Sequence, residues 1–136
     1  MSQNQVSTQQ EAFDRYLAKG KIAYVPTSWA ELELVVSWIT GAGGVAVLAH
    51  PLRYKLKGNA LKRLLNVFKD AGGQGIEVVT SRMNTDEIRQ TAGYATRFDL
   101  AGSVGSDFHH ADNPWVELGR LAPLPENIKP IWELLN

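Results

Sequence analysis

The stretch Gly102-Ser-Val-Gly-Ser-Asp-Phe-His-His110 decides the fold when it is read beside Val45-Ala-Val-Leu-Ala-His-Pro51. Each stretch is a short apolar run that ends in side chains able to ligate a metal ion. If the two runs are neighbouring parallel strands, His50, Asp107 and His109 emerge at the same edge of a sheet, because the carboxyl ends of parallel strands meet there. We therefore hypothesise a parallel sheet with a metal site at one edge.

An alternation of strands and helices surrounds these two stretches. Continuous apolar runs predict three strands, at Val45–Ala49, Gly75–Val79 and Leu100–Val104. Apolar residues at helical spacing predict the helices between them, at Asn59–Ala71 and from Asn84 or Thr85 to Phe98. The strands begin about 30 and then about 26 residues apart, the spacing of βα units that form parallel sheets. The predicted fold class is α/β.

The amino-terminal segment is polar and precedes a helical pattern. Residues 1–10 are rich in Gln, Ser and Thr, so we expect a flexible terminus up to about Ser7. Ser7 or Thr8 is placed to cap a helix over Glu11–Gly20. The remainder of the chain, 11–136, is predicted to form one domain.

Two further helices are predicted outside the βα units. Thr27 or Ser28 is placed to cap the first of them, which ends at the glycines that begin at Gly41. Its apolar stripe begins at Trp29. The second is a terminal helix over Ile128–Leu135.

Composition excludes several classes of protein. The 136 residues are 44% hydrophobic, enough for the core of one domain. Fourteen basic and fourteen acidic residues leave no formal net charge, which argues against a protein that coats polyanions. The chain has no cysteine, so a metal site needs histidine and carboxylate ligands. No apolar run is long enough to span a bilayer and the amino terminus has no signal-peptide pattern, so a cytoplasmic location is expected.

Asp107 and His109 are the strongest candidates for metal ligands. In extended backbone they face the same side while Phe108 faces the other. Pro51 pushes His50 out of the helical region, so we expect extended backbone there too. Imidazole with carboxylate suits Zn, Mn or Fe, and an oxygen-rich site favours Mn or Mg. The alternative for each residue alone is a hydrogen-bonded strand end or a turn, but their coincidence favours a metal site.

Further candidates lie near the same edge. Glu77, inside an apolar strand, is interpreted as holding a ligand histidine, reaching the site directly or pairing with a buried arginine. His110, next to His109, is expected to point to solvent or to contact the metal ligands without binding the metal itself. Thr80–Arg82 follow the second predicted strand. A basic loop after the first strand, formed by Arg53, Tyr54, Lys55 and Lys57, is either a phosphate clamp or a solvated surface.

Four phrases resemble the carboxyl-terminal half of the polymerase and histidinol phosphatase (PHP) family: Glu11-Ala-Phe-Asp-Arg-Tyr-Leu17, Gly44-Val-Ala-Val-Leu-Ala-His-Pro51 with Arg53-Tyr54, Gly75-Ile-Glu-Val-Val79 and Gly105-Ser-Asp-Phe-His109. The resemblance is strongest to the bacterial branch of metal-dependent phosphoesterases that act on nucleoside 3′,5′-bisphosphates and the 5′ ends of short RNA. It implies a distorted (β/α)7 barrel that this chain forms in part, and hydrolysis through metal-activated water.

The resemblance also implies roles for individual residues. His50, Asp107 and His109 match metal ligands, of which Asp107 and His109 act directly in catalysis. Arg53 matches a contact to the substrate phosphate, while Glu77 matches a strand position close to the site. His110 stands where relatives commonly have glycine, as does Leu52. The implied cofactor is a divalent metal, Mn, Zn, Mg or Fe, held in a partial site.

The family's early His-x-His motif has no counterpart in this chain. The implied outcome is a chain that is inactive or weakly active alone, and completed by a second copy in a homo-oligomer or by a complementing amino-terminal half. The substrate of the complete enzyme is a nucleotide or short RNA. The alternatives are a non-catalytic PHP-like remnant that acts in oligomerisation or partner binding, and a truncated product with no independent role.

Overall fold

The structure, a computed structural model, describes residues 6–56, 58–111 and 116–135. The chain forms two compact units, Met1–Ala30 and Glu31–Asn136. Most of the segment predicted to be a flexible amino terminus, residues 1–5, lies outside the described residues, as does Lys57.

Residues 6–30, the described part of the first unit, contain one short helical segment. Helix α1 (Gln9–Ala12) continues as a π-helical turn, Phe13–Leu17. The Thr8 hydroxyl accepts a hydrogen bond from the N–H of Glu11 at 3.1 Å, so Thr8 is the helix cap that the sequence indicated. The helical segment ends at Leu17 because Ala18 is extended, three residues before the predicted end.

The second unit alternates helices and strands as predicted. Its regular elements are α2 (Leu32–Gly41), β1 (Val47–Leu48), α3 (Asn59–Asp70), β2 (Gly75–Thr80), α4 (Thr85–Arg97) and β3 (Ala101–Gly105). Asn84 caps α4, because its side chain accepts the N–H groups of Asp86 and Glu87 while the Glu87 carboxylate accepts the N–H of Asn84. This reciprocal pair is a capping box, which fixes where α4 begins.

The three strands form a parallel sheet in the order β1-β2-β3. The sequence hypothesis assumed that the strand before His50 and the strand before Asp107 are neighbours. This was wrong, because β2 lies between them. The pairing of β2 with β3 shifts register between Glu77 and Val79, where Val78 is the additional residue. Such a bulge redirects side chains and is common beside functional sites.

The core of the second unit lies between the sheet and the helices. On β2, Ile76, Val78 and Val79 are almost completely buried. Helix α3 contributes a buried face that includes Leu65 and Phe68. The ring of Phe68 lies so close to Gly73 that no side chain fits there. Each buried aliphatic side chain of this size stabilises the fold by about 1.5–3 kcal/mol.

Two predicted helices differ in the structure. The helix expected from Thr27 or Ser28 begins at Leu32, because Glu31 has extended backbone (φ −62°, ψ 150°), and Trp29 lies outside it and is 85% exposed. The expected terminal helix is a 3-10 turn, Ile131–Leu134. The reason is Pro130, which has extended backbone and no N–H to donate within a helix.

Strand β1 is shorter than the predicted run Val45–Ala49. Among the described residues, none of the helices is both long and apolar enough to cross a bilayer.

Candidate functional site

His50 marks the end of the first strand, but not in the extended conformation that the sequence predicted. Its backbone is left-handed (φ 31°, ψ 57°), and it opens the 3-10 turn Pro51–Arg53. The residue before a proline is pushed out of the right-handed helical region, and His50 leaves that region for the left-handed one instead of the extended one. The N–H of His50 donates to the Glu77 carboxylate at 2.7 Å and its carbonyl accepts from the N–H of Arg53 at 3.0 Å. These contacts offset the cost of about 1–2 kcal/mol for a left-handed residue with a Cβ atom.

Glu77 lies at the centre of the candidate site, between the ends of the outer strands. One carboxylate oxygen, Oε2, accepts the N–H of His50. The other, Oε1, lies 2.8 Å from the position that a Cβ atom on Gly105 would occupy. Glycine at 105 is therefore required by the close approach of Glu77. Among the described residues, no arginine forms an ion pair with this carboxylate.

Arg53 and Asp107 form an ion pair through Nη1 and Oδ2. The pair joins the turn after β1 to the loop after β3, so it brings together two segments that are distant in sequence. The hydrogen bond and charge of the Arg53 guanidinium hold the pKa of Asp107 below its usual value. Electrostatic interactions with His109 and His50 lower this pKa further. The predicted phosphate clamp thus lies within reach of the predicted metal ligand.

Asp107 departs from the backbone geometry that the sequence predicted. Its φ is 55°, so the segment from Asp107 to His109 is not extended. His109 still lies beside Asp107, with Nδ1 at 2.8 Å from the Asp107 carbonyl oxygen and 3.7 Å from Oδ1. Phe108 and His110 are exposed. The local turn, rather than alternation along a strand, brings the two side chains together.

Tyr54 packs on the imidazole of His50. The two rings meet edge to face with centroids 5.9 Å apart, and the Tyr54 hydroxyl donates to the carbonyl of Ala49 at 2.9 Å. Burial and the nearby Glu77 carboxylate raise the pKa of Tyr54. The packing fixes the ring of His50 and leaves its Nδ1 buried without a hydrogen-bond partner among the described residues.

The arrangement fits a metal ion only in part. Across the described residues, no three His, Asp or Glu side chains lie close enough together to hold one ion. The Asp107 carboxylate is paired with Arg53, and Nδ1 of His109 is bonded to a carbonyl oxygen. The unpartnered Nδ1 of His50 is the group that fits a ligand, because a buried imidazole nitrogen without a partner is costly. This edge of the sheet can contribute metal ligands, but a complete coordination sphere needs more ligand groups than these residues supply.

A cavity opens at the same edge, along the loops after β1 and β2. Its lining includes His50 and Arg53 from the first loop and the segment Thr80–Arg82 from the second. Met83 and Glu87 line it too. Neither was predicted, because their contribution depends on how the loop folds back before α4.

Curated bacterial relatives match nearly the whole chain. A 5′-3′ exoribonuclease of Haemophilus influenzae is 42% identical over 94% of this chain and 46% of its own length. A 3′,5′-nucleoside bisphosphate phosphatase of Chromobacterium violaceum is 42% identical over 96% of this chain and 46% of its own length. The 5′-3′ exoribonuclease Rnm of Escherichia coli is 41% identical over 94% of this chain and 43% of its length. The chain spans about half the length of these relatives, and no family model matches it.

Two solved structures share the fold. An amidohydrolase from Chromobacterium violaceum, with bound sulfate and no metal, superposes with a TM-score of 0.77 and 44% identity over 93% of this chain and 43% of that chain. A protein from Bifidobacterium adolescentis described as a metal-dependent phosphoesterase superposes with a TM-score of 0.60 and 27% identity over 91% of this chain and 41% of that one.

Proposed function

We propose that this chain forms part of a metal-dependent phosphoesterase of the PHP family, because it is similar to a bacterial nucleoside bisphosphate phosphatase and to bacterial exoribonucleases. Its substrates are phosphate esters of nucleotides or short RNA. In this proposal residues 11–136 are the carboxyl-terminal portion of a PHP domain, and β1, β2 and β3 are strands of its distorted (β/α)7 barrel.

The observation that carries the proposal is the ion pair between Arg53 and Asp107. It brings a group suited to phosphate and a group suited to a cation into contact at one edge of the sheet. A guanidinium binds phosphate oxygens through paired N–H donors, whereas a carboxylate cannot. A phosphate ester bound by Arg53 is therefore next to the carboxylate that would hold a cation.

Each candidate residue has a role in this proposal. His50, Asp107 and His109 hold the cation, Asp107 and His109 lie nearest the reacting phosphate, and Arg53 orients it. Glu77 fixes His50 through the backbone N–H, and exposed His110 lies outside the ligand set. When bound, a divalent metal polarises phosphoryl oxygens and makes water a better nucleophile. Mn, Zn, Mg and Fe all suit a donor set of imidazole and carboxylate.

The 136-residue chain is expected to bind metal weakly and to turn over little substrate. Its described residues bring no three ligand groups together. Strand β1 lies at the edge of the sheet, and no other described strand pairs with its outer backbone groups, which can therefore pair with a further strand. A second copy of the chain or a complementing amino-terminal half would supply that strand and the remaining ligands.

The test is metal binding and hydrolysis by the purified chain. Calorimetry with Mn²⁺ should show weak binding that Asp107→Asn abolishes and Asp86→Asn leaves unchanged, because Asp86 is an exposed helix residue paired with Arg89. Hydrolysis of adenosine 3′,5′-bisphosphate should be slow and should require the metal. Equal Mn²⁺ binding by wild type and Asp107→Asn would contradict the proposed site.

A second function is favoured by the same lack of three converging ligands among the described residues. In it, the chain is a PHP-like remnant that acts in oligomerisation or partner binding. Sedimentation of the metal-free chain distinguishes the two: a stable dimer that never binds Mn²⁺ supports the remnant, and metal-dependent hydrolysis supports the phosphoesterase.

A further inference from the structure

The wall of the cavity contains a sulfur atom that the proposed reaction does not use. Met83 lines the cavity from the loop between β2 and α4, and its side chain is partly buried. The sequence has no cysteine and one further methionine, Met1, which lies outside the described residues. Methionine is a common target of oxidation. Met83 is therefore the described residue with a sulfur that a small oxidant in the cavity can reach.

The sulfur of Met83 takes part in a hydrogen bond, so the side chain does more than fill space. The sulfur accepts the backbone N–H of Thr80 at 3.3 Å. The N–H of Met83 donates to the carbonyl of Thr80 at 3.4 Å, so the two residues are joined twice and close a turn. A thioether sulfur is a weak acceptor. A chemical change at the sulfur would remove one of the two contacts that close this turn.

The turn between Thr80 and Met83 shapes the cavity wall. The two residues that it encloses, Ser81 and Arg82, both line the cavity. The backbone of Arg82 is left-handed (φ 72°), a conformation that residues with a Cβ atom rarely adopt and that the surrounding contacts must hold. Ser81 is 6% exposed, so opening the turn would also expose a residue that is now buried.

Oxidation of a thioether by a peroxide transfers one oxygen atom. A lone pair of the sulfur attacks one peroxide oxygen, the O–O bond breaks and an S–O bond forms. The proton of the transferred oxygen moves to the departing oxygen, which leaves as water when the oxidant is hydrogen peroxide. The sulfur loses two electrons and the peroxide gains them. The product is a polar, chiral sulfoxide, whose sulfur carries partial positive charge and is a poor acceptor for the N–H of Thr80.

We propose that Met83 is a site of reversible oxidation by peroxides, at which oxidation opens the turn between Thr80 and Met83 and adds a polar oxygen to the cavity wall. Each of the two lone pairs of the sulfur leads to a different sulfoxide epimer. The N–H of Thr80 occupies one lone pair, so the peroxide attacks the other and one epimer forms in excess. The modification is reversible because a reductase exists for each epimer. The site does not depend on the proposed hydrolysis.

The experiment oxidises the 136-residue chain with hydrogen peroxide, once folded and once unfolded in urea. After digestion, the peptide that contains Met83 is treated with methionine sulfoxide reductase A or B, each of which reduces one epimer, and is read by mass spectrometry. The folded chain should give one epimer in excess by about threefold or more, the ratio that a weak hydrogen bond to one lone pair supports. The chain oxidised in urea should give the two epimers in equal amounts.

Two variants serve as controls. Val67→Met introduces a methionine at an exposed position of α3 outside the cavity, and this methionine should give nearly equal amounts of the two epimers. Met83→Leu keeps an apolar side chain of similar volume and removes the sulfur. Peroxide should shift the amide NMR signal of Thr80 in the wild type and leave it in place in Met83→Leu.

Four results would overturn the inference. Met83 stays reduced under conditions that oxidise the introduced methionine of Val67→Met, or the folded chain gives equal epimers at Met83. Alternatively, the same epimer excess persists in urea, or the amide signal of Thr80 does not move when Met83 is oxidised.

Discussion

Gly105→Ala tests whether the Glu77 carboxylate is fixed between the outer strands. A Cβ atom at position 105 would lie 2.8 Å from Oε1 of Glu77, and ordinary contact begins at 3.4 Å, so the carboxylate would have to move by about 0.6 Å. The other oxygen of the same carboxylate is bound to the N–H of His50 at 2.7 Å. The movement therefore weakens or breaks that bond.

The expected loss follows from the kind of hydrogen bond that is disturbed. A bond to a charged acceptor contributes about 1.5–3 kcal/mol to stability, so Gly105→Ala should lower the free energy of unfolding by about that amount. Urea denaturation followed by circular dichroism measures it. Gly93→Ala is the matched control, since that glycine lies within α4 with nothing within 4 Å of its Cβ position. It should stabilise the chain by about 0.5–1 kcal/mol.

A double-mutant cycle identifies the cause. In a Glu77→Ala background the carboxylate is gone, so Gly105→Ala should then cost little. If Gly105→Ala lowered stability equally in both backgrounds, or not at all, the close approach of Glu77 to the end of β3 would be refuted.

Three further predictions address the ion pair, the helix cap and the core. Arg53→Gln should raise the pKa of Asp107, measured by carboxyl NMR, because the guanidinium lowers it. The ion pair stabilises the fold above the unfolded-state pKa of Asp107, and this stabilisation is lost as the pH falls through the folded-state pKa. The free energy of unfolding of the variant should therefore fall less in acid than that of the wild type. Asn84→Ala should cost about 1 kcal/mol in urea denaturation because it removes the capping box, and an unchanged midpoint would contradict it. Leu65→Ala should cost about 2–5 kcal/mol, against little change for exposed Val67→Ala.

The parallel βα arrangement could be predicted because local signals carried it. Apolar periodicity located α3, α4 and the strands, and Asn84 was one of the two residues predicted to open α4. These features depend on residues within a few positions of each other. The same holds for Thr8, which caps the first helix.

The candidate site was less predictable because long-range contacts set its geometry. The rule for a residue before proline suggested extended backbone at His50, but a carboxylate 27 residues away holds a left-handed conformation. The pairing of Arg53 with Asp107 spans 54 residues. Nothing in the local sequence indicates that β2 separates the strands that precede His50 and Asp107.

The ion pair of Arg53 with Asp107 gives the protein an internal counter-cation. Its acidic group is neutralised by the guanidinium in the metal-free chain, so the charge of the carboxylate is balanced without a divalent ion. Metal loading is therefore an exchange, in which an incoming ion must displace an arginine already in place.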